Sequence, residues 1–247
     1  MNALDVSDLT VAYDAAPVVN GVGFSVAQGR LMGIVGPNGA GKTTMIKAMM
    51  EATPRVAGTV RVLGKSGKEA RRLMVYVPQR ASVDWDFPLT VSDVVMQGRF
   101  GTLGLLRRPS AADRDRVAAA MDEVNIANLA SRQIGELSGG QQQRVFLARA
   151  LAQEGEIYLM DEPFQGVDAA TETAIIAVLR ELRTQGKTVL VVHHDLSTVR
   201  DYFDDLLLLN VSLVACGPTD EVFTPALLQK AYGGKLAMFD GAAAVFA

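Results

Sequence analysis

The distribution of apolar and polar residues along the chain predicts alternating strands and helices. Residues 4–11 alternate apolar and polar side chains, as a half-buried strand does. Short apolar runs predict further strands at 31–35, 59–63, 74–77, 157–160, 188–192 and 206–209. Helical patterns cover 43–50, 111–124, 139–152 and 169–184, with a shorter one near 91–98. Strand–helix alternation favours a parallel sheet covered by helices on both faces.

A purely helical stretch, from about residue 90 to residue 152, interrupts this alternation. Ser110 directly precedes the second helical pattern and is predicted to be its N-cap, because a serine oxygen accepts a free backbone N–H at a helix start. The helical stretch is therefore expected to be an insertion into the α/β core.

Composition and charge narrow the class of protein. The chain has 247 residues, of which 49% are hydrophobic and 21% charged, as in an ordinary globular protein. The formal net charge of -3 does not indicate a strongly basic face, so nucleic acid is not an expected partner. Cys216 is the only cysteine, which excludes an intramolecular disulfide and suits a reducing compartment.

The apolar runs are too short to cross a bilayer, and the N-terminus lacks the basic and apolar regions of a signal peptide. Any membrane association is therefore expected to occur through a partner protein.

A glycine-rich loop between a predicted strand and helix carries the clearest chemistry. It fits the pattern G-x-x-x-x-G-K-[ST] and comprises Gly36, Pro37, Asn38, Gly39, Ala40, Gly41, Lys42 and Thr43, followed by Thr44. Glycines allow the tight turn that points backbone N–H groups at phosphates, and Lys42 adds a positive charge. The Thr43 hydroxyl can bind Mg²⁺. We therefore expect ATP and Mg²⁺ here rather than a plain glycine-rich turn.

Two carboxylates, Asp161 and Glu162, follow the apolar strand at 157–160. We expect this strand to run beside the strand that precedes the glycine-rich loop. Asp161 would then meet Mg²⁺, and Glu162 would polarise the water that attacks the γ-phosphate. Such a pair alone is common at strand ends, but after a phosphate-binding loop it predicts phosphoryl-transfer chemistry.

The stretch LSGGQQQR, residues 137–144, resembles the signature of ABC transporter ATP-binding subunits. The resemblance implies an α/β P-loop NTPase (RecA-like) core with an antiparallel β subdomain and an inserted α-helical subdomain. The whole chain, 1–247, would be one ATPase domain, with 1–89 and 153–247 forming the core and 90–152 the helical part. In this family two copies pair head-to-tail, and the motif contacts the γ-phosphate held by the other copy. That role would fall to Ser138, Gly139, Gly140 and Gln141.

Other family landmarks occur in the expected order. By resemblance, Tyr13 would stack on adenine, Gln79 would sense Mg²⁺, and Asp168 would lie at the dimer contact. His194 would be the switch histidine that assists Glu162. The chain departs from the commoner pattern at Gln142, where arginine is usual, in the segment QGVD, and at His193, where threonine is usual.

Three stretches resemble ATPases that serve manganese, zinc or iron importers, namely 77–101, 161–172 and 223–234. The resemblance implies an ATPase that powers uptake of a divalent transition metal, with manganese favoured. Its partners would be a separate permease, at the cytoplasmic face of the membrane, and an external metal-binding protein.

A cluster after Gln79 has two readings. Val83, Trp85 and Phe87, flanked by Asp84 and Asp86, would either line a groove for a permease helix or pack the junction of the helical insertion. The pattern does not choose between these readings.

Three alternatives remain from the sequence. Import of an iron chelate or cobalamin, or zinc efflux, would use identical ATPase chemistry. A non-transport ABC protein acting on ribosomes or DNA would ordinarily carry two cassettes or long coiled-coil insertions, and this chain has neither. A soluble P-loop kinase would leave the 137–144 motif unexplained.

Overall fold

The computed structural model describes residues 1–14, 16–79, 85, 87–103 and 107–233. Its strands are β1 (Asn2–Ala12), β2 (Pro17–Ala27), β3 (Leu31–Val35), β4 (Ala57–Val62), β5 (Met74–Val77), β6 (Ile157–Asp161), β7 (Thr188–Val192), β8 (Asp205–Asn210) and β9 (Ser212–Pro218). Its helices are α1 (Lys42–Met49), α2 (Gly67–Arg72), α3 (Val91–Met96), α4 (Phe100–Leu103), α5 (Ala111–Glu123), α6 (Gly139–Gln153), α7 (Ala169–Thr184), α8 (Val199–Tyr202), α9 (Thr219–Val222) and α10 (Pro225–Tyr232).

Six strands form the larger sheet, in the order β5-β6-β7-β3-β8-β9. All neighbours are parallel except β8 and β9, which form an antiparallel hairpin. Every residue of β3, β6 and β7 is buried, because helices cover both faces. The predicted parallel α/β core is confirmed.

The smaller sheet is antiparallel and has the order β2-β1-β4. The alternation at 4–11 correctly predicted β1. The stretch that forms β2 was not predicted as a strand, because its glycines were the only pattern that stood out. Gly21 has a φ of 58°, and the register shifts beside its neighbour Val22. A glycine in such an irregular strand hides the period-2 pattern from which strands are recognised.

The helical stretch lies between β5 and β6 in sequence, although these two strands pair directly with each other. Ser110 caps α5 as predicted, because its Oγ accepts the Asp113 N–H at 3.2 Å while the Asp113 carboxylate accepts the Ser110 N–H at 3.0 Å. The helix predicted near 91–98 is α3, continued by a 3₁₀ turn at Gln97–Arg99. The division of the chain at about residues 90 and 152 stays a prediction.

Within the described part of the chain, no helix combines the length and the apolar character needed to cross a membrane.

Candidate active site

The glycine-rich loop connects the end of β3 to the start of α1. Gly39 and Gly41 have φ angles of 83° and 90°, a region that residues with a Cβ rarely adopt. A Cβ on Gly36 would lie 2.0 Å from the carbonyl oxygen of Leu209 on β8. The loop is therefore shaped by its left-handed turns and by its contact with the neighbouring strand.

The start of α1 suits an anion. The first N–H groups of a helix have no partner within the helix, and Gly41 at the N-cap has no side chain to satisfy them. The first turn also carries no acidic residue. These N–H groups and the positive end of the helix dipole make a phosphate-sized anion the fitting ligand.

Lys42 is only 8% exposed. Its ammonium group donates to the carbonyl oxygens of Gly36, at 2.7 Å, and Pro37, at 3.0 Å. An ammonium has three donors, so one remains for a phosphate oxygen. Burial lowers the pKa of Lys42, and the negative charges of Glu162 and Asp161 oppose that shift.

Asp161 ends β6, but the expectation that β6 runs beside β3 is wrong, because β7 lies between them. The carboxyl ends of these parallel strands nevertheless meet at one edge, and the Thr43 hydroxyl donates to Asp161 Oδ1 at 3.0 Å. The Tyr76 hydroxyl lies 3.4 Å from the other oxygen. Asp161 is 1% exposed, and burial raises its pKa although the Thr43 hydrogen bond lowers it.

Glu162 has a φ of 52°, in the left-handed region. A residue with a Cβ adopts this conformation at a cost that is often found in functional sites. The Gln79 amide donates to Glu162 Oε2 and to Gln165 Oε1, both at 2.9 Å. The carboxylate is thus held on the side of the glycine-rich loop.

These groups surround one cleft of about 810 Å³, within the range of small-molecule sites. The predicted residues in its lining are Gly36, Pro37, Asn38, Gly39, Ala40, Gly41, Lys42, Thr43, Thr44, Gln79, Glu162 and His194. Residues from four separate parts of the sequence therefore meet where the motifs predict a nucleotide.

The remaining predicted residues lie elsewhere in the described chain. Tyr13 is 62% exposed and does not line this cleft. Asp168 is the N-cap of α7, and its carboxylate accepts from the N–H and the hydroxyl of Thr171, both at 2.9 Å. These hydrogen bonds lower the pKa of Asp168.

The 137–144 motif forms the start of α6. Ser138 is the N-cap, and Ser138 and Gln141 bind each other's backbone N–H through their side chains. A Cβ on Gly140 would lie 2.9 Å from the Thr171 hydroxyl oxygen, so α6 and α7 meet closely. Ser138, Gly139, Gly140 and Gln141 therefore share one surface region with the cap of Asp168.

Four residues that contact this site were not predicted from the sequence. Val18, Gln165 and Tyr232 line the cleft, and Tyr76 contacts Asp161. Gln165 stood within the unusual QGVD segment, which was a usable signal. Tyr232 comes from α10, and burial raises its pKa to about 12 while a hydrogen bond from the Gly36 N–H opposes the shift. Because Tyr232 and Gly36 are far apart along the chain, no local sequence pattern could predict that they meet.

The cluster after Gln79 is only partly described. Trp85 packs edge-to-face on Phe146, with ring centroids 5.1 Å apart, whereas Phe87 is 58% exposed. Val83, Asp84 and Asp86 lie outside the described residues.

Comparison with known proteins adds independent information. The sequence profile of the family described as "ABC transporter" matches residues 19–165. The manganese transport system ATP-binding protein MntB of Bacillus subtilis (strain 168) is 55% identical over 236 residues, which are 96% of this chain and 94% of that protein. The zinc transport system ATP-binding protein TroB of Treponema pallidum (strain Nichols) is 53% identical over 95% of this chain and 88% of that protein.

A solved structure described as the ATP binding subunit of an ABC transporter superposes with a TM-score of 0.79. It is 28% identical and covers 96% of this chain and 98% of its own.

Proposed function

Because the chain belongs to the ABC transporter ATP-binding family, whose members are ATPases that work with a membrane permease, we propose that it powers import of a divalent transition metal. The observation that carries the proposal is the near full-length similarity to subunits named for manganese and zinc transport, joined to a formed phosphate site. Manganese is the favoured cargo because the 55% identical relative is named for it.

ATP would bind through the donors of the glycine-rich loop. The free N–H groups of α1 and the remaining donor of Lys42 would bind its β- and γ-phosphates. Tyr13, exposed at the end of β1, is the proposed adenine contact.

Oxygen atoms beside the loop fit Mg²⁺. The Thr43 hydroxyl and the Asp161 carboxylate already meet, and the amide oxygen of Gln79 would be a further ligand. Bound Mg²⁺ would neutralise charge on the phosphate oxygens.

Glu162 would accept the proton of the attacking water. Its carboxylate is oriented by the Gln79 amide, and its backbone is held in a strained conformation beside the cleft. His194, which lines the same cleft, would assist at the γ-phosphate.

A second copy of the chain would complete the site. The surface region formed by the start of α6 and the Asp168 cap lies outside the cleft of its own chain, which suits contact with the nucleotide of a partner copy. Ser138 and Gly140 would then bind the γ-phosphate held by the partner.

The chain would dock on the permease at the cytoplasmic face of the membrane, through its surface near exposed Phe87. Trp85 instead packs on Phe146, as the junction-packing reading expects. An external metal-binding protein would deliver the cargo to the permease.

The chemistry is tested with Glu162→Gln and Lys42→Ala in the full chain. Glu162→Gln should bind ATP, form a dimer with it and lose about 100-fold or more in ATPase rate. Lys42→Ala should lose nucleotide affinity or turnover. Glu181→Gln, on α7, is the matched control with normal rates. A normal rate for Glu162→Gln would disprove its assigned role.

Cargo is tested by elemental analysis of cells grown in metal-limited medium, with the native chain, without it, or with Glu162→Gln. A selective fall of one metal in both altered strains would identify that metal as the cargo. Unchanged content of every metal would refute metal import and place an iron chelate or cobalamin first.

A further inference from the structure

His193 directly precedes the cleft residue His194, yet it is buried and only 1% exposed. It follows the last residue of β7, and its backbone N–H donates to the carbonyl oxygen of Ile34 in β3 at 3.0 Å. Its side chain therefore sits behind the cleft, at the joint between the sheet and the loop that carries His194.

A short hydrogen-bonded chain closes this loop. His193 Nε2 lies 2.8 Å from the Thr198 hydroxyl oxygen, and that hydroxyl lies 3.3 Å from the carbonyl oxygen of Asp195. The Thr198 hydroxyl therefore links the His193 ring to the Asp195 carbonyl. The Asp195 carboxylate in turn accepts the Ser197 N–H at 2.9 Å. His194 lies inside the segment that these bonds close.

The His193 ring also contacts the segment that follows Glu162. Phe164 packs edge-to-face on it, with centroids 5.4 Å apart and planes at 87°. Phe203 packs on the same ring at 5.4 Å. Phe164 is 7% exposed and Phe203 is 4% exposed, so both aromatic partners are held by the core.

His193 is not an acid or base in this setting. Burial first, and then the neighbouring His194 charge, lower its pKa to about 4. The ring is neutral at physiological pH and acts through its hydrogen bonding and its packing.

We propose that His193 is a positioning residue for ATP hydrolysis. Its ring orients the loop of His194 through Thr198 and holds the segment after Glu162 through Phe164. This inference rests on the proposed function, and it explains why a bulky ring replaces the usual threonine before the switch histidine.

The test uses two variants of the full chain that remove different atoms. His193→Phe keeps an aromatic ring and loses the nitrogen that meets Thr198, and Thr198→Val keeps His193 and loses the hydroxyl that meets it. Each should lower kcat about 5- to 30-fold, the effect of one hydrogen bond, with KM for ATP within twofold. Thr173→Val is the matched control, because the exposed Thr173 hydroxyl donates to the α7 backbone at Ala169 and its loss should leave kcat unchanged.

The same two variants are then measured in a His194→Ala background. If His193 acts through His194, neither should lower kcat further there. An unchanged kcat in folded Thr198→Val, or an equal loss in the His194→Ala background, would overturn the proposal. A normal rate for His194→Ala alone would instead contradict the role proposed for His194 at the γ-phosphate, and normal rates for Glu162→Gln and Lys42→Ala would contradict the proposed function, so these failures are distinguishable.

Discussion

Replacing Gly36 by alanine should destabilise the protein far more than the same change at Gly39, three residues later in the loop. A Cβ at Gly36 would lie 2.0 Å from the Leu209 carbonyl oxygen, whereas a Cβ at Gly39 meets nothing within 4 Å. A real Cβ approaches an oxygen no closer than about 3 Å, so β8 or the loop must shift by about 1 Å.

The two costs differ in origin. Overpacking against a backbone atom costs about 3 kcal/mol or more, because a paired strand cannot move independently. Gly39 has a φ of 83°, so alanine there adds about 1–2 kcal/mol of backbone strain. The lower entropy of the unfolded alanine chain offsets about half of that strain.

The assay is thermal unfolding of both variants without nucleotide, since bound ligand would add its own stabilisation. For a chain of this size, 1 kcal/mol corresponds to about 2–4 °C in Tm. Gly36→Ala should therefore melt at least about 6 °C below the native chain, and Gly39→Ala within about 4 °C of it. Equal melting temperatures for the two variants would refute the reasoning.

Two further predictions concern stability. As pH falls from 6.5 to 4, the unfolded chain protonates His193 while the folded chain holds it neutral, so the free energy of unfolding should fall. Between pH 7.5 and pH 5.0, the free energy of unfolding measured by urea titration should fall by about 2 kcal/mol less in His193→Phe than in the native chain. An equal fall in both proteins would contradict this explanation. Tyr232→Phe removes a buried hydroxyl that interacts with the Gly36 backbone and should cost about 1–3 kcal/mol. In the same titration, Tyr13→Phe should change the free energy of unfolding by less than about 0.5 kcal/mol, because Tyr13 is exposed. Equal effects of Tyr232→Phe and Tyr13→Phe would refute the contact assigned to Tyr232.

The local elements of this protein could be predicted from its sequence. Helix α7 and strands β5 and β7 have the predicted bounds, because their side-chain periodicity is complete within a few turns or residues. The glycine-rich loop could also be located, since its residues are contiguous.

The tertiary structure decided which distant residues meet. The insertion of β7 between β3 and β6 depends on strand pairing across more than a hundred residues, and no local pattern records it. The same holds for Tyr232 against Gly36 and for Phe164 against His193. Periodicity reports which face of an element is buried, whereas the partner on that face is selected only when the whole chain packs.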